Sequence, residues 1–190
     1  MQIEQVQSYI LEELRSRLDS NLYYHGVHHT LDVVQTALEL AALEAVTDQE
    51  SLCLIKTAAL FHDCGFMNTY KGHEDESCRI AKEVLPDFDY SPEEISTICG
   101  MIMATRIPQD PQTHLERIIS DADLDYLGRD DFEPIAATLF EELKAREIVT
   151  DVNVWNQIQI RFIGDHFYWT KSERARRNEL KTKHLAALRQ

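Results

Sequence analysis

The 190-residue chain is predicted to be all-α, a single compact helical domain. Three observations carry this reading. Apolar residues recur at spacings of three and four along nearly the whole chain, the period that lines one face of a helix. Only six glycines and five prolines interrupt it. No run alternates apolar and polar residues as a half-buried strand would. The length suits one domain with a sizeable core. No internal repeat and no Gly-, Ser- or Pro-rich linker divides it.

The elements follow in order. Ile3, Val6, Ile10, Leu14 and Leu18 mark an amphipathic opening helix that ends before Ser20-Asn21. Tyr23 to His28 is a short non-periodic stretch. A second helix is predicted from about His29 to Ala45, with Val33, Val34, Ala37, Leu38 and Ala41 on one face. Thr47-Asp48 caps a third, whose apolar body runs from Leu52 to Phe61. His62-Asp63-Cys64-Gly65 closes it, with Gly65 as the stop, and Phe66 to Gly72 reads as a loop. Further helices are expected at about His73–Leu85, Pro92–Thr105, Thr113–Leu127, Phe132–Arg146, Val152–Phe167 and Lys171–Leu188. Ser91-Pro92-Glu93-Glu94 is a strong start: a cap, a proline in the first turn, then acids at the positive dipole end. Arg106 to Pro111, with two prolines, is a loop.

Composition narrows the function. The formal net charge is −14, and an acidic surface repels nucleic-acid backbones, so general DNA or RNA binding is excluded. No apolar run approaches the roughly 20 residues that span a bilayer. The start, Met1-Gln2-Ile3-Glu4-Gln5, lacks the basic and apolar segments of a signal peptide, so a cytoplasmic location is expected. Cys53, Cys64, Cys78 and Cys99 form no C-x-x-C pair and read as reduced thiols filling the core. From Arg161 onward eight Lys/Arg face three Asp/Glu, a local excess of 8 − 3 = +5. This reads as a C-terminal helix with a solvated basic face. With Phe167-Tyr168-Trp169 it could serve a homodimer interface.

Four segments carry unusual polar residues: Tyr24-His25-Gly26-Val27-His28-His29-Thr30, Phe61-His62-Asp63-Cys64-Gly65, Gly72-His73-Glu74, and Ser120-Asp121-Ala122-Asp123. His62-Asp63 is the most telling, because it follows the apolar run Ala58-Ala59-Leu60-Phe61. An unpaired carboxylate buried there would cost several kcal/mol. A divalent cation compensates it. Imidazole with carboxylate is a ligand set for zinc, manganese, iron, cobalt or nickel, and less for calcium.

In this order, His … His-Asp … Asp, the chain resembles the HD-domain superfamily of metal-dependent phosphohydrolases, from about Tyr24 to Leu127. The resemblance implies a helical fold with a central metal site. It matches His29 to the first metal histidine and His62-Asp63 to the doublet. The last ligand is Asp121 or Asp123. The phase of the following Leu124 and Leu127 favours Asp121, whereas the Ala122-Asp123 pairing favours Asp123. Asp121 is preferred, with the other orienting a ligand or a water. His25, four residues before His29, matches a general acid of related cyclic phosphodiesterases. The alternative is a loop histidine bonded to backbone. His73 matches a residue touching substrate or a second metal, while Glu74 also suits a helix start. Asp63, Asp121 and His25 are thus the candidate catalytic residues. Lys71 and Arg106 are candidate phosphate contacts, and Lys56 a supporting residue. His28 has no counterpart and reads as structural or exposed. Trp155 and Trp169 read as core or interface, and Leu124-Asp125-Tyr126-Leu127 as packing plus a solvated acid.

One departure bears on the cofactor. Relatives with two metals supply another histidine near Ile98–Arg106, where this chain reads Met103-Ala104-Thr105-Arg106. One divalent transition metal is therefore expected, with room for a weaker magnesium held by waters. The implied reaction is hydrolysis of a small phosphorylated substrate, a nucleotide above all. The rivals are a nucleotide-binding signalling module without turnover and an iron-dependent oxygenase on the same scaffold.

Overall fold

A computed structural model describes all 190 residues, Met1–Gln190. Nine α-helices follow one another: α1 Ile3–Arg17, α2 Val27–Leu43, α3 Gln49–Phe61, α4 His73–Val84, α5 Pro92–Ala104, α6 His114–Asp123, α7 Phe132–Ala145, α8 Val152–Asp165 and α9 Lys171–Leu188. Short 3-10 turns cover Cys64–Met67, Leu85–Phe88 and Asp125–Gly128, and there is no strand.

The start signals work as the sequence implied. Asp48 accepts from the Ser51 amide at 2.7 Å. Ser91 with Glu94 and Thr113 with Glu116 form reciprocal capping boxes, each satisfying two amides that a helix start leaves free.

Two of the boundaries that differ from expectation fall at functional segments. The second helix begins at Val27, so His29 is the third residue of its first turn rather than its starting residue. The helix expected to run to Leu127 ends at Asp123. Leu124 leaves helical geometry (φ −111°, ψ 15°) and a 3-10 turn follows. The buried Tyr168 hydroxyl donates toward the Leu124 and Asp125 carbonyls at 3.2 and 3.3 Å. It thereby satisfies acceptors that the helix end releases.

Packing divides the interior in two. The larger apolar cluster joins α1 to α6 and includes Ile10, Leu14, Phe61, Ile98 and Ile118. A smaller one joins Tyr24 and the turn after α6 to α7, α8 and the end of α9. Within the first, α2 packs on α3 and α6, and α5 on α3, α4 and α6. α9 lies across the Asp125–Gly128 turn and α8. That contact is close enough to require Gly128, since a Cβ there would stand 2.4 Å from the Arg177 carbonyl oxygen.

The C-terminal basic face is solvated at Arg161, Lys171, Arg174, Lys183 and Arg189, while Arg177 and Lys181 turn inward. Asp125 is buried, with Arg177 Nε at 2.6 Å and Arg129 Nη1 at 3.5 Å. Lys181 is buried too, and donates to the His166 carbonyl at 2.5 Å. Tyr168 is fully buried within the chain, which removes it from any dimer interface; Phe167 is exposed. No helix is long and apolar enough to cross a membrane.

Candidate metal centre

The centre forms where α2, the end of α3 and the end of α6 converge. His29 points inward from the first turn of α2. His62 follows α3 directly and is fully buried, with Asp63 beside it. Asp123 closes α6.

The doublet is held by bonds the sequence did not advertise. Ser77 on α4 donates its hydroxyl to the His62 carbonyl at 2.8 Å and accepts from the Gly65 amide at 2.8 Å. Gly65 is required by close approach: a Cβ there would lie 2.0 Å from the His73 carbonyl oxygen. Its expected role as a helix stop gives way to this one. The start of α4 thus lies directly on the turn after the doublet.

The nitrogens of His29 and His62 and an oxygen of Asp123 face one another, and Asp63 Oδ2 approaches both nitrogens. His29 Nε2 lies 3.1 Å from Asp123 Oδ1, 3.3 Å from His62 Nε2 and 3.5 Å from Asp63 Oδ2. His62 Nε2 lies 3.2 Å from Asp63 Oδ2 and 3.6 Å from Asp123 Oδ1. Ligand atoms bound at about 2.0–2.2 Å and about 90–110° apart stand about 3.0–3.5 Å from each other, so this spacing suits a first-row divalent ion. His62 Nδ1 lies 2.7 Å from the Ala59 carbonyl. A carbonyl only accepts, so Nδ1 carries the hydrogen and Nε2 turns its lone pair to the centre.

The electrostatics point the same way. Asp63 Oδ2 is buried with no hydrogen-bond partner, a costly state unless a cation meets it. Burial opposes charge on His62, yet the Asp63 and Asp123 carboxylates raise its pKa well above the usual value. Burial likewise opposes charge on Asp123, but His29 and His62 hold it down to about 2. Burial works against Asp63 as well, and His62 with His73 outweighs it. The pocket is built to hold positive charge. His29, His62 and Asp123 fit a divalent metal by donor type and mutual spacing, and Asp63 by its orphaned oxygen beside both imidazoles.

Asp121 does not join them. Its carboxylate accepts the amides of Trp169 and Thr170 at 2.8 and 2.7 Å, and burial raises its pKa to about 6 despite those bonds. The preference for Asp121 is corrected to Asp123. α6 unwinds immediately after Asp123, so the helical phase of Leu124 and Leu127, on which that preference rested, does not apply. Asp121 instead ties the start of α9 to α6.

The other candidates separate. His25 and His73 line the same cavity as Asp63 and Asp123. His73 Nε2 is 3.4 Å from Asp63 Oδ1, and its ring stacks on Phe66 at 3.9 Å. Lys71 is exposed and lines no part of the cavity. Arg106 also stays outside, its guanidinium taken by Asp75 at 2.5 Å and Glu74 at 3.6 Å. Lys56 reaches Glu4 at 3.0 Å instead of supporting the centre. His28 is exposed, as expected, and Trp155 is buried.

Sequence reasoning missed Glu142. This buried residue of α7 accepts the Tyr24 and His25 amides on one oxygen, at 2.9 and 3.0 Å. On the other it accepts His25 Nδ1 at 2.5 Å and the Tyr70 hydroxyl at 2.9 Å. Burial opposes its charge, but the bonds from His25 hold its pKa below the usual value. His25 is therefore bonded to a carboxylate, not to backbone acceptors, and its Nε2 is left for the cavity. Nothing in the local sequence around Glu142 marks it.

The HD domain family matches residues 26–125, just over half of the chain. The chain belongs to the HD-domain family. HD domains are metal-dependent, in keeping with the cluster of His29, His62 and Asp123, whose donor atoms lie within 4.8 Å of one another. An uncharacterized protein of Clostridium beijerinckii is 30% identical over 101 residues, which are 52% of this chain and 63% of that protein. The match thus spans less than two thirds of that relative's length. A predicted HD superfamily hydrolase from an uncultured Thermotogales bacterium, solved at 1.45 Å, has a TM-score of 0.64 at 19% identity, covering 96% of this chain and 88% of that one. At that identity the likeness establishes the shared fold.

Proposed function

We propose that this HD domain hydrolyses a phosphate ester of a small molecule, using one divalent transition metal held by His29, His62, Asp63 and Asp123. The observation that carries the reading is the buried, unpartnered Asp63 Oδ2 beside two imidazole nitrogens. When bound, such a cation supplies Lewis acidity toward a phosphoryl oxygen and a potent nucleophile near neutral pH. The chain's own groups supply the rest. Glu142 holds His25 Nδ1, so that His25 Nε2 can give a proton to the leaving oxygen. His73, fixed by Asp63 and Phe66, can contact a phosphoryl oxygen. The neighbouring hydrolase from the Thermotogales bacterium supports a hydrolytic role. A nucleotide is the substrate class that the family resemblance puts first for assay.

The test pairs elemental analysis with phosphate release from a nucleotide and phosphomonoester panel, with added manganese, cobalt, nickel, zinc or magnesium. Wild type, Asp123→Ala and Asp121→Ala are compared. About one transition metal per chain is expected in wild type and in Asp121→Ala, with metal-dependent phosphate release, and both lost in Asp123→Ala. Tight nucleotide binding with no release under any metal would instead establish a binding module.

A further inference from the structure

We infer that the substrate carries a single phosphate on an apolar organic group, and that this group lies between α7 and α8. The inference rests on the phosphohydrolase reading of the metal centre and narrows its substrate. One cavity of about 380 Å³ is lined both by Asp63, Asp123, His25 and His73 and by the second apolar cluster. Its volume falls in the range of small-molecule sites, about 300–1,000 Å³.

The walls select by what they lack. None of the nineteen lining residues is Lys or Arg, and three are carboxylates: Asp63, Glu74 and Asp123. One phosphate finds its counter-charge at the metal and the imidazoles. A second or third phosphate would face carboxylates or hydrocarbon, and burying such charge without a partner is strongly unfavourable. Arg106 is bound to Glu74 and Asp75. Arg161 lines an adjoining cavity and not this one.

The organic part is read in the same way. Leu139 and Leu143 of α7 meet Trp155, Phe162 and Ile163 of α8 in the lining. From Leu124 to Ile163, Gln159 is its one polar side chain apart from the Tyr126 phenol and the Trp155 indole. Gln159 already donates to Asn156 at 3.4 Å. The edges of a ribose and a nucleobase would leave several donors and acceptors unpaired against such walls. A branched, linear or aromatic hydrocarbon gains by entering, about threefold to fourfold in binding per buried methylene. The adjoining cavity of about 430 Å³ shares Ile107, Ile158 and Phe162 with this one, which leaves room for a longer arm.

The experiment uses the full chain loaded with manganese. Phosphate release is followed for n-alkyl monophosphates from methyl to octyl, phenyl phosphate, ribose 5-phosphate, adenosine monophosphate and adenosine triphosphate. The matching n-alkyl phosphonates, which cannot be hydrolysed, are titrated in parallel by Trp fluorescence and thermal shift. We expect kcat/KM and phosphonate affinity to rise about threefold per methylene until the cavity is full, with no turnover of the triphosphate. Leu139→Trp should flatten that rise, read as the ratio of octyl to methyl substrate in one preparation so that a general loss of folded protein cancels. Affinity that rises with chain length, without hydrolysis of any ester, would support the apolar site and sink the phosphohydrolase reading. Hydrolysis with no dependence on chain length, or a tenfold preference for a nucleotide over octyl phosphate, would overturn the inference and leave that reading standing.

Discussion

In α1 to α6 the residues that meet at the centre come in short motifs, whereas in α7 to α9 they act singly and far along the chain from what they touch. His62 and Asp63 are neighbours in sequence, and His29 follows His25 by four residues. By contrast, Glu142 meets His25 across 117 residues, and Arg177 meets Asp125 across 52. The first region presents metal donors from helix ends. The second supplies the carboxylate behind His25 and the apolar wall of the cavity. The HD match stops at residue 125, before α7 begins. If the proposed function holds, the metal donors come from the matched region, and the cavity's apolar wall comes mostly from the helices that follow it.

The sharpest way to break that comparison is His62→Ala. If the metal depends on the first region alone, bound metal and phosphate release both fall below detection, while the smaller apolar cluster survives. Elemental analysis and Trp155 fluorescence read the two separately. Retention of a full metal complement in this variant would remove the central claim. Glu142→Gln should act from the other side. Both Glu142 oxygens accept two donors, and an amide can accept on only one of its two atoms. The fold loses some stability, but the discriminating effect is on turnover. We expect kcat per bound metal to drop by about 10- to 100-fold. A lowered Tm with unchanged kcat would make Glu142 a purely structural residue.

The same division explains what the sequence could and could not disclose. His62-Asp63 was readable because a carboxylate directly after Ala58-Ala59-Leu60-Phe61 violates burial unless something compensates it. Helix starts were readable because capping is local: Asp48, Ser91 and Thr113 each act within three residues. The choice between Asp121 and Asp123 failed because it assumed that α6 continues. Leu124 instead leaves helical geometry, and the Tyr168 hydroxyl, more than 40 residues away, donates to the carbonyls there. Glu142, Asp125 and Lys181 look like surface charges in sequence, and only tertiary pairing makes their burial tolerable. Gly65 read as a helix stop, since a backbone packed against another backbone leaves no local trace.

Two glycines, one in each region, sharpen the comparison further. Gly65→Ala drives a Cβ to 2.0 Å from the His73 carbonyl oxygen, and Gly128→Ala drives one to 2.4 Å from that of Arg177. Each should cost about 1–3 kcal/mol or more, because backbone rather than a flexible side chain must move. Their consequences should differ. Gly65→Ala displaces the turn after Asp63 and lowers metal affinity. Gly128→Ala loosens α9 and leaves metal content near wild type. Urea unfolding paired with metal titration checks both, and equal metal loss in the two would erase the distinction.

The smallest expected effect is a pH dependence seated wholly in the second region. Glu173 is fully buried on α9, with Oε1 lacking a hydrogen bond and 3.6 Å from Arg177 Nε, and Oε2 3.2 Å from Arg176. Burial, then the nearby Asp125, raises its pKa from 4.5 to about 9, against a partial pull downward from Arg176 and Arg177. The folded state therefore holds this proton more tightly than the unfolded chain does. Its contribution to stability is fully present below about pH 4.5 and declines as pH rises toward 9, by at most about 1.4 kcal/mol per pH unit. Glu173→Gln keeps a neutral, similarly shaped side chain and should remove that decline, so the variant gains on wild type as the solution becomes alkaline. Asp125, Arg176 and Arg177 remain in both proteins, so the difference between the two stability curves isolates Glu173. Parallel curves from pH 5 to 9 would show instead that the two arginines keep Glu173 ionised and that α9 is docked by ion pairs alone.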